Sequence, residues 1–482
     1  MNTGSRSTFF SFLASKEPRF ELILTPLLLT LTYAFLLWVY PFPNTYADTG
    51  AYISVATTGL IGNFRPPGYS WFMALSHFIN PNADVLVLLQ TVLYFFSTLF
   101  LYLTVRFFFK AGNKWVWRLF FLLFLLSPTC IYLCNFVISD SLFISLTNLW
   151  LSSILWIIGT RKTAALLWNM VLLLLLLQIR YIGLFYPMIT VVALFIAYFK
   201  KQKLRFALFS GLQVALFFGV ILFTTYQTEK TIGVRVFSGF SGWQKANNAM
   251  HVLPHLNLQP KDIKDPEIRK LHAFMLAHNP VELYPAKDSV VVTYLWGPTT
   301  GPKKLLYRIM AGGNKHYLHY WHKTSIPLGK WGDYIIKNHP GLFFKYYLRP
   351  NFLFLFKMSN EALFVWPPPS KQITDWFACS NCAVAPKYSF FHDFLAATAS
   401  KSFNILWVLF ALSLLLLPFR SQLNLTPPQH HMLLMVSFFC ITYTIMSVYA
   451  SPIVLRYLLV IRHSLLLLPF LLLINIFSIR KK

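Results

Sequence analysis

Three apolar stretches of this chain are each too long to cross a bilayer once. Trp115 to Ile158 is flanked by Lys114 and Arg118 on one side and by Arg161 and Lys162 on the other. Ala164 to Phe199 runs from that second pair to Lys200, Lys201, Lys203 and Arg205, and Met432 to Phe477 runs from His430 and His431 to Arg480, Lys481 and Lys482. A crossing takes roughly 20 apolar residues over about 30 Å of hydrocarbon. As single helices these stretches would reach some 55 to 65 Å at about 1.5 Å per residue. Basic clusters at both ends favour the cytoplasmic side, so each stretch has to turn back with its apex outside.

The apices fall where polar or helix-breaking residues interrupt the run: Cys134, Asn135 and Asp140; Gln178, Arg180 and Tyr181; Ser451, Pro452 and Arg456. Adding Leu22 to Val39, Val85 to Phe109, Phe206 to Tyr226 and Phe403 to Phe419 gives an all-α polytopic membrane protein of about ten transmembrane helices, both termini cytoplasmic. The apolar run from Leu22 is longer than a signal-peptide core and lacks a small-x-small cleavage site, so an uncleaved first span is expected. Residues 1–226 form an N-terminal transmembrane module whose first outer loop spans about 41–84. Residues 227–402 form a mainly helical extracytoplasmic domain, with helical pieces expected around Asp265 to His278 and Tyr334 to Met358, and residues 403–482 complete the membrane part. The basic residues of the outer segment do not reverse this topology, because long loops translocate largely regardless of charge. The one Asn-x-Thr acceptor, Asn424-Leu-Thr426, lies in an expected cytoplasmic loop, which favours a bacterial plasma membrane.

Composition agrees: 56% hydrophobic, 18% aromatic and only 12% charged residues exclude an ordinary soluble domain. The net charge of +27, from 42 Lys and Arg against 15 Asp and Glu, suits phosphates and anionic membrane lipids. The cations punctuate apolar spans and form no aromatic-interleaved stripe, so nucleic acid is not a partner. Of five cysteines, only Cys379 and Cys382 lie outside apolar runs. Outside the cell that pair points to a small disulfide rather than zinc.

Acids are scarce, which makes each one informative. Between Asp84 and the end of the seventh span the sole acid is Asp140, below an outer apex. A carboxylate in a span costs about 2.5 to 3.5 kcal/mol on insertion scales and faces a cavity or a partner. Asp48 follows the first span, ahead of a small-residue stretch to Leu60 that reads as an interfacial helix; it fits a reacting carboxylate or the N-cap of that helix. In Phe64-Arg-Pro-Pro-Gly-Tyr-Ser-Trp71 a stiff Pro-Pro segment holds Arg65 beside the membrane. Arg180 and Arg456 stand at the other apices, each followed by Tyr, and serve as interface anchors or phosphate ligands; Arg462 and His463 lie deeper and are expected in the same cavity. Guanidinium forks match phosphate oxygens and keep their charge in apolar surroundings. A carboxylate takes a proton from an acceptor hydroxyl. Two carboxylates and several arginines at one face therefore suit transfer from a lipid phosphate, or transport of a lipid-linked sugar by a flippase.

Tyr-Ala-Asp48-Thr-Gly-Ala-Tyr52, Arg65-Pro-Pro-Gly-Tyr69, Ser139-Asp140-Ser-Leu-Phe143, Arg180-Tyr-Ile-Gly183 and Arg456-Tyr457 resemble the C-type (GT-C) membrane glycosyltransferase superfamily, in particular bacterial members akin to protein O-mannosyltransferases and the lipid A aminoarabinose transferase. The resemblance implies inverting transfer of a sugar from a polyprenyl-phosphate donor to an envelope glycan, lipid or protein at the outer face. Asp48 would match the first-loop acid that activates the acceptor or holds it through a metal, so a divalent metal stays open as a cofactor. Thr49 stands where many members carry a second acid, and Asp140 where relatives often have Glu. The resulting expectation is Asp48 and Asp140 as catalytic residues, Arg65, Arg180, Arg456 and Arg462 on the donor phosphate, and Tyr52, Tyr69, Tyr181 and Tyr457 lining the substrate.

Two further features of the outer segment are ambiguous. His316, His319 and His322 are spaced either for a metal or for one helix face. Gly242-Trp-Gln-Lys-Ala-Asn-Asn248 reads as a polar lip for sugar hydroxyls or as a plain loop.

Overall fold

A computed structural model describes the chain except residues 1–7, 63, 111–112, 201, 279–289, 358–362, 366, 380–381, 383–384, 420–424 and 480–482. Asn424 therefore lies outside the described residues, as does Met358. Among those described, the structure is helical and contains no strand, only an isolated bridge between Asn44 and Phe136. Among the described residues eight helices are long and apolar enough to cross a membrane: Arg19–Val39, Ala83–Phe108, Asp140–Thr160, Tyr181–Tyr198, Lys203–Ile232, Ser389–Leu414, Pro427–Ala450 and Leu455–Asn475. A ninth is the bent pair Lys114–Leu125 and Pro128–Cys134, which turns by 42° where Ser127 caps a helix opened by Pro128. The remaining expected span is the shorter apolar helix Thr163–Ile179. Each over-long stretch breaks at its expected apex: helices end at Cys134, Ile179 and Ala450 and resume at Asp140, Tyr181 and Leu455.

Asp140–Thr160 is the central helix, packed between Ala83–Phe108 and Thr163–Ile179, with Tyr186–Tyr198 and Pro427–Ala450 against its other faces. Small polar side chains tie it in, as expected where lipid gives no hydrophobic drive between helices: Asn148 Nδ2 donates to Thr98 Oγ1 at 3.2 Å and Trp150 Nε1 to Thr190 Oγ1 at 3.2 Å. Glu21, which precedes the first apolar run in sequence, is fully buried at the end far from the apices. It accepts from Arg106 at 2.5 Å and from Tyr102 at 3.1 Å.

The segment after Lys203–Ile232 builds its own aromatic core around Trp243, Tyr294, Trp321, Trp331 and Tyr347. Its main helices, Gly239–Met250 and Tyr317–Asn338, pack at very short range: a Cβ on Gly242 would collide with the Ser325 carbonyl, and one on Gly332 with the Lys245 backbone. The expected piece around Asp265 is the helix Pro266–Ala277, with Asp265 accepting from Glu267 N at 2.8 Å. The piece expected from Tyr334 is the tail of Tyr317–Asn338 and, after a break at His339, a second helical run over 340–356 that opens at Pro340 and passes through a π turn at Phe344–Leu348. Two asparagines fasten this unit to the Ser451 turn. Asn351 Nδ2 donates to Val448 O at 2.7 Å and Ser451 O at 2.8 Å, and Asn248 Nδ2 to Tyr449 O and Ala450 O at 3.1 Å each. Cys379 and Cys382 form a disulfide beside the helix Lys371–Trp376, which contacts Ala47–Thr58.

Candidate active site

The loop after the first span folds into two helices, Ala47–Thr58 and Gly68–Ile79. Backbone hydrogen bonds seat its start beside the break before Asp140: Asn44 N donates to Asn135 O at 3.0 Å and Val137 N to Asn44 O at 2.9 Å. Thr49 Oγ1 donates to Val137 O at 2.9 Å and Tyr52 hydroxyl to Ser139 Oγ at 3.0 Å. Thr49 also accepts from Tyr46 N at 2.9 Å, so the helix is capped by Tyr46 and Thr49, and Asp48 is not its cap. The extended Pro-Pro segment stops at Pro67, where the second helix begins. Gly68 lies so close to the Gln178 carbonyl that a Cβ there would meet it at 2.6 Å. The residue after Pro67 thus fixes the loop against the chain two residues before Arg180.

Asp48 pairs with Arg65, Nη2 to Oδ2 at 3.0 Å, and the Arg65 guanidinium stacks 4.9 Å from the Phe240 ring centre. Asp140 opens the central helix and is buried, with Arg180 on one carboxylate oxygen and Arg456 3.8 Å from the other. Arg180 is extended between two helices, while Arg456 lies in the short helix Leu455–Leu458 and stacks over Tyr46 at 4.6 Å. Burial alone would raise the Asp48 carboxyl, but Arg65, Arg456 and Arg180 outweigh burial and hold it below the usual carboxylate range. Burial opposes the Arg65 charge, yet Asp48 more than restores it. Both Arg65 Nε and Arg456 Nε are buried with no hydrogen-bond partner, so donor capacity is left over. Three arginines against two carboxylates leave one positive charge, and Lys245, which also lines the cavity, is paired with Asp333 at 2.9 Å.

These groups face a cavity of about 430 Å³. Asp48, Asp140, Arg65, Arg180 and Arg456 all line it, with Tyr52, Tyr181 and Tyr457; its apolar side includes Ile179, Leu184, Phe185 and Phe237. Of the polar lip, Gln244, Lys245 and Asn248 reach the cavity; Trp243 and Asn247 are buried within the outer unit.

The chain is similar to ArnT. The similar solved structures are ArnT from Cupriavidus metallidurans bound to undecaprenyl phosphate, at 11% identity over 95% of this chain and 78% of that one with a TM-score of 0.37, and the same protein in the apo state, at 10% identity over 94% and 77% with a TM-score of 0.34. No family model and no curated protein matches the chain.

Three expected residues lie elsewhere. Tyr69 is fully buried, its hydroxyl donating to Gln90 at 3.1 Å and its ring against Tyr52 at 4.8 Å. Arg462 is outside the lining: it follows a 3-10 turn, six residues beyond Arg456, and so leaves on another face. Its neighbour His463 lies 3.2 Å from the Tyr94 hydroxyl, away from the cavity. Lining residues that sequence reasoning missed include Phe237, Phe240, Tyr443 and Tyr449, which read only as ordinary apolar and interfacial residues.

The histidine triplet diverges. His316 Nδ1 accepts from Leu318 N, His319 Nδ1 lies 2.9 Å from Ile232 O and His322 Nδ1 2.8 Å from Leu318 O. Among the described residues no group of three or more His, Cys, Asp or Glu is arranged to hold a metal.

Proposed function

We propose that this chain is a membrane glycosyltransferase that moves a sugar, with inversion, from a polyprenyl-phosphate donor to an envelope acceptor at the outer face. The observation that carries this is the double hold of Arg180 and Arg456 on Asp140 next to a second carboxylate, Asp48, which is paired with Arg65, in one cavity with an apolar flank. Asp140 orients the two guanidiniums; a phosphodiester carries one negative charge, matching the one excess positive charge of the site. The apolar flank suits the first isoprene units of the lipid. As the bond from the sugar to phosphate breaks, the arginines stabilise the departing phosphate, which leaves as an anion and needs no general acid. Asp48 is an ionised carboxylate on the acceptor side and takes the acceptor proton late, when the new bond has made it acidic.

Of the motifs that resemble the C-type superfamily, Asp48, Tyr52, Arg65, Asp140, Arg180 and Arg456 fall at this same cavity, which agrees with the proposal, while Tyr69 does not. The test is turnover: full-length protein in nanodiscs, given radiolabelled polyprenyl-phosphate hexoses and pentoses with envelope extract, releases polyprenyl phosphate and labels an acceptor. Movement of intact labelled donor across the bilayer with no release of polyprenyl phosphate would instead indicate a flippase.

A further inference from the structure

A second cavity, of about 540 Å³, adjoins the first. The two share seven lining residues, among them Asp48, Arg65, Arg456 and Tyr457, and the second continues to Tyr46, Trp296 and Tyr317. Apart from the shared residues, its described lining contains no Lys, Arg, Asp or Glu. Trp296 and Tyr317 are 49% and 38% exposed, although Trp243, Trp321 and Trp331 of the same unit are fully buried. Their exposure does not leave them loose. The Trp296 ring stacks on Trp321 at 5.6 Å and Tyr317 packs on that same ring at 6.1 Å. The buried Lys303 sits 5.4 Å from the Trp296 ring centre and donates to the Tyr317 hydroxyl at 3.3 Å. Two rings are therefore fixed as an open platform.

A fixed aromatic platform in a chamber whose own lining adds no Lys, Arg, Asp or Glu to the shared residues selects a ligand with an apolar face and hydroxyls at its edge, which describes a pyranose ring. Lys303 lies behind the platform and His316 is in the lining, but an anionic head group would meet no Lys or Arg of the lining itself beyond the arginines at the junction, and those are needed by the donor phosphate. We infer that the second cavity is the acceptor chamber and that the acceptor presents a neutral sugar ring, stacked on Trp296 and Tyr317 with one hydroxyl at Asp48. This rests on the proposed glycosyl transfer. In the step, the acceptor oxygen bonds to the anomeric carbon as its bond to the phosphate oxygen breaks; the hydroxyl proton passes to Asp48 and polyprenyl phosphate leaves as an anion at Arg180 and Arg456.

Saturation-transfer NMR on the full chain in nanodiscs tests this, with the methyl glycosides of glucose, mannose, galactose and N-acetylglucosamine as acceptor probes and dodecyl phosphate as the donor probe. At least one glycoside receives saturation, and Trp296→Ala and Tyr317→Ala each weaken that signal about fivefold or more, in line with a lost aromatic contact of about 1 kcal/mol. Trp296→Phe and Tyr317→Phe keep most of it, and dodecyl phosphate binds all four variants normally. The inference is overturned if no glycoside is saturated by the unmodified protein, if both alanine variants retain the signal, or if Trp296→Ala abolishes dodecyl phosphate binding, which would place Trp296 in the donor site. Loss of the glycoside signal alone, with dodecyl phosphate still bound in an Arg180-dependent way, leaves the proposed function standing; failure of dodecyl phosphate to bind the unmodified protein removes both.

Discussion

Asp48 and Arg65, 17 residues apart in sequence, meet at 3.0 Å between the first helix of the outer loop and the Pro-Pro segment that precedes the second. Neither residue is where it is because of the other alone. Thr49 and Tyr52 moor the first helix to the break before Asp140, and Gly68 moors the second against Gln178. The pair thus reports the relative placement of three helix breaks, and a change to one mooring displaces the whole charge cluster.

Arg180→Lys and Arg456→Lys keep the charge and lose the fork. Donor use falls on the order of 10-fold or more in each, read as kcat/KM with polyprenyl-phosphate sugar, because a charge-assisted bond of about 1.5 to 3 kcal/mol is removed. Normal kcat/KM in both variants would make these arginines interface anchors.

The pH dependence follows from the direction of the Asp48 shift. With its folded carboxyl held below the usual range, Asp48 stays ionised as the pH falls, and transfer persists down to about pH 4, near the ordinary carboxylate value. Arg65→Met removes the leading opposing charge and leaves burial opposed by Arg456 and Arg180 alone, so the carboxyl rises. The acid limb of the rate profile then moves to higher pH. An unmoved limb would show that Asp48 does not set it.

Much of the fold was legible in the sequence because the membrane imposes it. Span length, basic flanks and polar interruptions gave the three turning points, and the helices break at Cys134, Ile179 and Ala450. The cluster of Asp48, Arg65, Asp140, Arg180 and Arg456 was legible for the same reason: an ionisable group near apolar spans has few places to go. Tyr69 and Arg462 were not, since side-chain direction depends on local helix phase. A 3-10 turn before Arg462 and a helix starting at Gly68 set that phase, and neither has a periodic signal. Trp296 and Tyr317 escaped notice among the many aromatics of the outer segment, whose packing is set by contacts distant in sequence.

The outer unit should weaken in acid. His251 is buried between Tyr294 and Tyr347, and burial lowers its pKa from 6.5 to about 4 despite a hydrogen bond to the Val291 carbonyl. The unfolded unit binds the proton first, so stability is complete above about pH 6.5 and falls by about 3 kcal/mol as the pH drops toward 4. His272 and His322 shift in the same direction. Limited proteolysis of the outer unit across that window measures it, and His251→Phe flattens the curve; equal sensitivity in the variant would assign the effect elsewhere.

Topology is tested by single cysteines at exposed positions. The native thiols do not interfere, since Cys130, Cys134 and Cys440 are buried and Cys379 is bonded to Cys382. Lys304→Cys reacts with an impermeant maleimide in intact cells and Lys203→Cys reacts only after lysis. The reverse pattern would place the cavity on the cytoplasmic side and contradict an outer-face reaction.

The most direct measurement is transfer by Asp48→Asn protein, assayed beside its binding of dodecyl phosphate. Tyr46 and Thr49 cap the helix, so the substitution leaves the fold in place, and Asn fills the same volume while being unable to accept a proton. The account predicts normal insertion and normal dodecyl phosphate binding with transfer reduced on the order of 100-fold or more. Transfer at the unmodified rate would contradict it.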